Sequence, residues 1–429
     1  MTVSLNPQIM RSVEQLGYQV TVGDVATQAG LELNLANQGL LTLASEAGGH
    51  LQVSDTGDIV YQFPPNFRTI LRNRFWRLRL QALWQQIWKV LFYLIRISFG
   101  IILVASIILM MVAIVVILVA VNSKDGDSND GDRGFGGGFF FFPTDIFWIF
   151  DPTPAYYQRE ERGMAERPQK NLNFLEAIFS FLFGDGNPNF NLEERRWQLM
   201  GNVIRNQGGA IAAEQAAPYL DNITALNREN EDYILPVLAK FNGYPQVSPT
   251  GELIYTFPDL QVTAKQRTLT PTASYLQEKR WPFSQATSGQ ILLALGLGSL
   301  NIILALVLGK LLQDAAVSIA FITFVQAIYG GLLTYAIAFL GIPLGRYLWL
   351  QWHNAGIETR NQQRQAKAEW LTLGNAELQQ KLKFAKEFAK EKVISSADIA
   401  YRTDEDLLVQ EAQQSDKIDE EWRKRLESL

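Results

Sequence analysis

The chain has 429 residues, of which 48% are hydrophobic and 19% charged, with a formal net charge of −5 and no cysteine. This length allows two or three domains, and the missing cysteine excludes disulfides and any cluster held by the chain's own thiolates. The averages suit a soluble protein, but they conceal a sharp segregation of apolar from charged residues.

Residues 1–66 read as a first winged-helix-like module. A helical pattern at Ile9, Val13 and Leu16 ends at Gly17. A short YQVT strand, the stretch VGDVATQAG, a longer helical stretch around Leu40, Leu41 and Leu43, and a hairpin follow. The hairpin is VSDTGDIVYQFP, Val53 to Pro64, turning at Thr56 and Gly57 and closed by a proline that cannot extend the ladder. No apolar stretch behind a basic start precedes it, so this module is expected to fold where it is made.

Residues 67–96 read as a basic, aromatic juxtamembrane helix. Arg72, Arg74, Arg77 and Arg79 suit anionic lipid headgroups at roughly 1 kcal/mol each, and Trp76, Trp84 and Trp88 suit the membrane interface. With Arg68, Lys89 and Arg96 there are seven cations and no acid between Pro64 and Ile97, a flank that keeps the first module on the cytoplasmic or stromal side.

Ile97–Val121 (97–121) holds 25 residues without a charge, where about 20 suffice for a transmembrane helix. An acidic, glycine-rich loop (122–134) follows. The aromatic segment 135–150 is short for a span, and two readings stand: a re-entrant return or a loop in the headgroup layer. Residues 151–190 read as a linker carrying a surface-lying helix, FLEAIFSFLFG from Phe174, because Glu176 interrupts its apolar run.

The region 191–260 reads as a second winged-helix-like module, because its hairpin VSPTGELIYTFP, Val247 to Pro258, repeats the first with its turn at Thr250 and Gly251. A linker (261–290) leads to a transmembrane hairpin (291–345) whose intramembrane polar residues are Asn301 and Gln326. The tail 346–429 reads as a long amphipathic helix that packs on its own modules or on a partner.

The stretch Phe179 to Asp221 carries FGDGNPN and GGAIAAEQAAPYLD. In these residues the chain resembles a largely uncharacterised family of integral membrane proteins of cyanobacteria and plant plastids. The resemblance implies a photosynthetic lineage and a thylakoid or plasma membrane. Some relatives are labelled with iron–sulfur cluster biosynthesis, but a chain without cysteine cannot scaffold such a cluster itself.

Chemistry is otherwise absent. The two histidines, His50 and His353, are far apart, the loop from Asp125 lacks the glycine and glutamate of a calcium loop, and no phosphate-binding or nucleophile motif occurs. No catalytic, cofactor-binding or metal residue is expected. Nucleic acid is not an expected partner either, since Met1 to Phe63 has one cation, Arg11, against six acids, and Glu193 to Pro258 has five against eight.

The expectation is an α+β membrane protein with two winged-helix-like modules, a transmembrane helical region and a long C-terminal amphipathic helix. It is not an enzyme and takes no cofactor. It would dock or assemble protein partners, for instance in photosynthetic membrane complexes, with soluble modules on the cytoplasmic or stromal face; homo-oligomers are compatible with it. Two alternatives are a small transporter or channel with regulatory modules and, further off, a membrane-anchored DNA-binding regulator.

Overall fold

The computed structural model describes residues 5–122 apart from 75, then 172–221, 223, 231–266, 269–314, 319–373, 376–412 and single positions beyond. The expected loop from 123, the aromatic segment 135–150 and most of the following linker lie outside the described residues, as do the side chains of Arg74, Trp76, Arg77 and Arg79. The fold mixes helix and sheet, with three helices long and apolar enough to cross a membrane. It divides into one unit of residues 1–81, 188–279 and 357–429 and another of 82–187 and 280–356.

In the first unit, α1 (Pro7–Gln15) starts at Asn6, whose side chain accepts from the Gln8 N–H at 2.9 Å. Thr21 ends β1 (Gln19–Thr21) and caps α2 (Val22–Ala29) reciprocally: the Asp24 N–H donates to its hydroxyl at 3.1 Å, and its own N–H donates to the Asp24 carboxylate at 2.9 Å. Helix α3 (Leu33–Ala47) and the hairpin of β2 (His50–Ser54) and β3 (Ile59–Gln62) complete the first module.

The same order recurs as a helix over Leu192–Asn206, β4 (Ala210–Ile211), a single turn Ala213–Ala216, a helix over Leu235–Phe241, and the hairpin of β5 (Tyr244–Val247) and β6 (Leu253–Thr256). The registers match: His50 lies opposite Gln62 as Tyr244 lies opposite Thr256, and Val53 opposite Ile59 as Val247 opposite Leu253.

The two halves share one core. Ile9, Val13, Leu40, Tyr61 and Phe67 of the first belong to the same buried cluster as Met200, Ile204, Phe241, Tyr255 and Phe257 of the second. Helix α2 packs on the Leu192–Asn206 helix, where a β-carbon on Gly201 would stand 2.9 Å from the Thr27 methyl. The close approach that glycine permits fuses what the sequence presents as two modules. Nor is 261–290 a loose linker: β7 (Val262–Thr263) lies in it, and Leu276 and Glu278 are buried.

The single long C-terminal helix is corrected. The third apolar helix continues unbroken from Ala320 to Leu373, past Pro343, and a separate helix covers Ala376–Phe388. Then β8 (Lys392–Val393) pairs in parallel with β7, and β9 (Ile399–Arg402) joins the first sheet, whose order is β1–β3–β2–β9. The Ala376–Phe388 helix packs on β4 and β6 and buries Leu378 and Ala385.

In the second unit the first apolar helix is part of Trp76–Asn122, and the second spans Ser288–Asp314. Near one end of the bundle Met110, Ala113 and Ile117 meet Leu308, Ile322 and Val325. Towards the other, Leu103 and Ile107 meet Ala294 and Phe339, together with Ile178, Phe181 and Leu182 of the short helix Phe174–Phe183. That helix is therefore packed among the apolar helices rather than lying on the surface. Glu176 does not interrupt it: its carboxylate accepts from the Asn173 N–H at 3.1 Å, closing the first turn. Much of the outer face is apolar, with Ile101, Val112, Val115, Leu118, Ile303 and Phe324 exposed.

Candidate functional site

Both hairpins turn on matching atoms. The Ser54 hydroxyl accepts from the Asp58 N–H at 3.1 Å and lies 2.9 Å from the Thr56 hydroxyl; Ser248 accepts from the Glu252 N–H at 3.0 Å and lies 2.8 Å from that of Thr250. Gly57 and Gly251 hold φ near +85° and +89°, which a residue with a β-carbon takes up only at a cost.

Beneath each wing a buried tyrosine finds a different partner. The Tyr61 hydroxyl donates to Asn37 at 3.0 Å, whereas the Tyr255 hydroxyl donates to the Glu231 carboxylate at 2.9 Å. Glu231 is matched by Lys381 of the Ala376–Phe388 helix, which also bonds Glu214 at 2.9 Å. Burial alone would lower the Lys381 pKa, but the two carboxylates outweigh it and hold the ammonium above its ordinary value.

At the seam between the modules, Arg205 donates to Asp24 at 2.7 Å, and their side chains are only 3% and 6% exposed. Asp24 also accepts from the N–H groups of Thr21 and Ala264 at 2.9 and 3.1 Å. Burial opposes its ionisation, but Arg205 and these donors prevail and keep the carboxyl below its ordinary range. The other described cations of the second module are engaged as well. Arg196 pairs with Glu193 and Asp221, Arg195 reaches Asn189, and Lys240 lies over the Trp197 ring at 4.8 Å. On α3, which carries no cation, Asn34, Leu35, Asn37, Gln38 and Leu41 are exposed.

The segment 276–279 is clamped by the end of the third apolar helix. Arg360 grips Glu278 through two bonds of 2.9 and 2.7 Å, Arg364 bridges Glu278 and Asp221, and the Asn361 amide bonds both the N–H and the C=O of Glu278 at 2.9 Å. Asn189 bonds the Lys279 backbone on both sides at 2.7 and 2.8 Å.

Asp185, within the FGDGNPN stretch, anchors a polar cluster in the second unit. Asp185 pairs with Arg96, bonds the Ser180 hydroxyl and accepts from the Gln285 N–H at 2.9 Å. Ser180 meets Ser284 at 2.7 Å, and Arg346 donates to the Phe181 carbonyl at 2.8 Å while lying over the Phe283 ring at 4.5 Å. These residues come from four separated segments, so no local signal marked them.

The two amides of the apolar helices, Asn301 and Gln326, are not brought together. Asn301 is fully buried and accepts from Ser106 at 2.9 Å, joining the first two apolar helices, whereas Gln326 is exposed. Arg72, Trp84 and Trp88 are exposed on their helices. His353 stacks on Trp349 with ring centres 4.8 Å apart, His50 lies on β2, and among the described residues no group of three or more His, Asp or Glu could hold a metal ion.

No family model matches the chain, and no solved structure matches it. An uncharacterized chloroplastic protein of Arabidopsis thaliana is 36% identical over 436 residues, covering 98% of this chain and 82% of the relative. At that identity over nearly the whole chain, the protein belongs to the family of this plant chloroplastic protein.

Proposed function

We propose that the chain is an integral membrane protein of a plastid or thylakoid-type membrane, and that its paired winged-helix-like modules dock protein partners on the stromal or cytoplasmic face. The observation that carries this reading is the outer face of α3. In a winged helix that binds DNA this helix enters the groove, and here it offers Leu35 and Leu41, 47% and 45% exposed, with no cation. Arg205, whose charge could otherwise have served a phosphate, is buried against Asp24. Exposed leucines amid neutral amides suit a protein surface better than a polyanion.

Three apolar helices and a chloroplastic relative support the location. A shared face for both modules is supported by their common core, to which Ile9 and Leu40 of the first and Phe241 and Phe257 of the second all belong. Membrane assembly work is the role this architecture fits. A transport path has no comparable support, since the Asn301 carbonyl oxygen accepts from Ser106 and Gln326 is exposed, so the two amides line no common path.

Two experiments test the reading. Single cysteines at the exposed Gln38, Thr250 and Asp314 of this cysteine-free chain are labelled with an impermeant reagent in sealed vesicles. Gln38→Cys and Thr250→Cys should react from the same side and Asp314→Cys from the other; Thr250 labelling with Asp314 overturns the shared face. Leu35→Glu with Leu41→Glu should abolish co-purification of a defined partner while leaving the melting curve unchanged, and retention of that partner removes α3 as the docking face.

A further inference from the structure

The two wings are near copies, yet only one carries an added strand. On the first, β9 runs antiparallel along the outer edge of β2, with Val53 opposite Tyr401. The Leu51 N–H donates to the Thr403 hydroxyl at 2.9 Å, the Thr403 N–H to the Leu51 carbonyl at 3.0 Å, and the Asp55 N–H to the Asp398 carbonyl at 2.9 Å. The outward-facing positions of this edge are thus 51, 53 and 55. On the second wing the matching register places Pro245, Val247 and Pro249 there. Proline has no N–H, so two of the three donors that hold β9 on the first wing do not exist on the second. Among the described residues β5 pairs with β6 alone, and Tyr244 and Val247 are 50% and 63% exposed.

The strap that supplies β9 is held mainly by backbone bonds. Residues 389–403 are seated by a small cluster of Ile394, Val60 and Ala264, separate from the shared core, by the Lys390 and Ile394 N–H bonds to the Gly208 and Thr263 carbonyls, by the two residue pairs of β7 and β8, by the β9 ladder and by the half-exposed pair of Lys392 with Asp58. A segment with so few buried contacts opens at a free energy below that of global unfolding.

We propose that the outer edge of the first wing is a strand-accepting site, kept filled by the chain's own strap, and that Pro245 and Pro249 close the equivalent edge of the second wing. The occupant it fits is an extended peptide segment running antiparallel to β2 with an amide pattern like that of 398–403, added by backbone pairing. The strap is such a segment in cis, and its opening frees the edge for another. The second wing's prolines keep the strap, and any strand that replaces it, from pairing on the wrong copy.

The test uses the full chain in detergent and a labelled synthetic peptide of residues 396–405. Tyr401→Pro removes the strap's central N–H and should raise amide exchange across 398–403 by about tenfold or more, while Val60, Tyr61 and Phe63 stay protected. The peptide should then bind this variant with one equivalent and the unaltered chain much more weakly. Adding Leu51→Pro and Asp55→Pro, which copy the second wing's prolines onto the first, should abolish that binding. Adding Pro245→Leu and Pro249→Asp to Tyr401→Pro instead should create a second equivalent. A strap that stays protected in Tyr401→Pro, or peptide binding indifferent to the prolines on either wing, overturns the proposal.

Discussion

The two wings share a turn, a register and a buried tyrosine, and differ in what each asks of the tail. Under the first, Tyr61 rests on the neutral amide of Asn37, and the tail arrives as a strand on the open edge of β2. Under the second, Tyr255 rests on the Glu231 carboxylate, and the tail arrives as a helix whose Lys381 matches that charge. The two tyrosines occupy one position of the repeat, and an amide stands beneath the first where a carboxylate, matched by the tail's Lys381, stands beneath the second. A near-duplicate scaffold is thereby made directional, one copy read through backbone donors and the other through a buried charge.

The largest expected effect lies where the copies meet. Asp24→Asn leaves Arg205 buried without a counter-ion and should cost about 3–5 kcal/mol, read from denaturant unfolding of the purified protein. Its pH dependence follows from the depressed pKa of Asp24. The stabilisation is fully present above the unfolded value near 3.8 and is lost as pH falls through the lower folded value, so a melt that weakens only above neutrality would contradict it.

The next effect tests the asymmetry itself. Lys381→Met strands Glu231 and should destabilise the second module by about 3 kcal/mol, and adding Glu231→Asn, which copies Asn37, should recover much of that loss. If the double variant is no more stable than the single one, the amide and carboxylate are not interchangeable solutions. Smaller still, Gly57→Ala and Gly251→Ala should each cost about 1–2 kcal/mol, because both turns need positive φ. Unequal losses would show that the strap beside the first turn changes its energetics.

The smallest effect separates the wings by salt. Burial is the strongest single influence on Asp58 and pushes its pKa up, but the bonds from Lys392 and Thr56 with the Lys392 charge together outweigh it and leave the carboxyl below its ordinary value. Lys392→Ala should cost no more than about 1 kcal/mol, and the loss should shrink at high ionic strength. A salt-independent loss would assign Lys392 to packing instead.

Much of this was legible in the chain where the signal is local. The turns at Thr56-Gly57 and Thr250-Gly251, the order of elements before them, and the uncharged run from Ile97 announce themselves because turn chemistry and hydropathy act over a few residues. The polar cluster was not legible, because Asp185 gains its meaning from Arg96, Ser284 and Gln285, and Ser180 its further partner in Arg346. Glu176 misled as an interruption when it is a cap. The strands of the tail were missed because Lys392–Val393 and Ile399–Arg402 are short and flanked by charge, and a strand of two to four residues exists only where an edge awaits it.

The sequence by itself determined a duplicated helix-and-hairpin unit, its lack of cations on α3 and three apolar helices, since composition and short-range pattern set all of these. Only the tertiary structure decided that the copies fuse into one core, that the short Phe174–Phe183 helix packs among the apolar helices, and that the tail closes one wing and not the other. The physical reason is that each of these depends on groups far apart in the chain meeting at a spacing of one residue. A missing N–H at Pro245 or a small surface at Gly201 has no consequence until its partner is placed beside it.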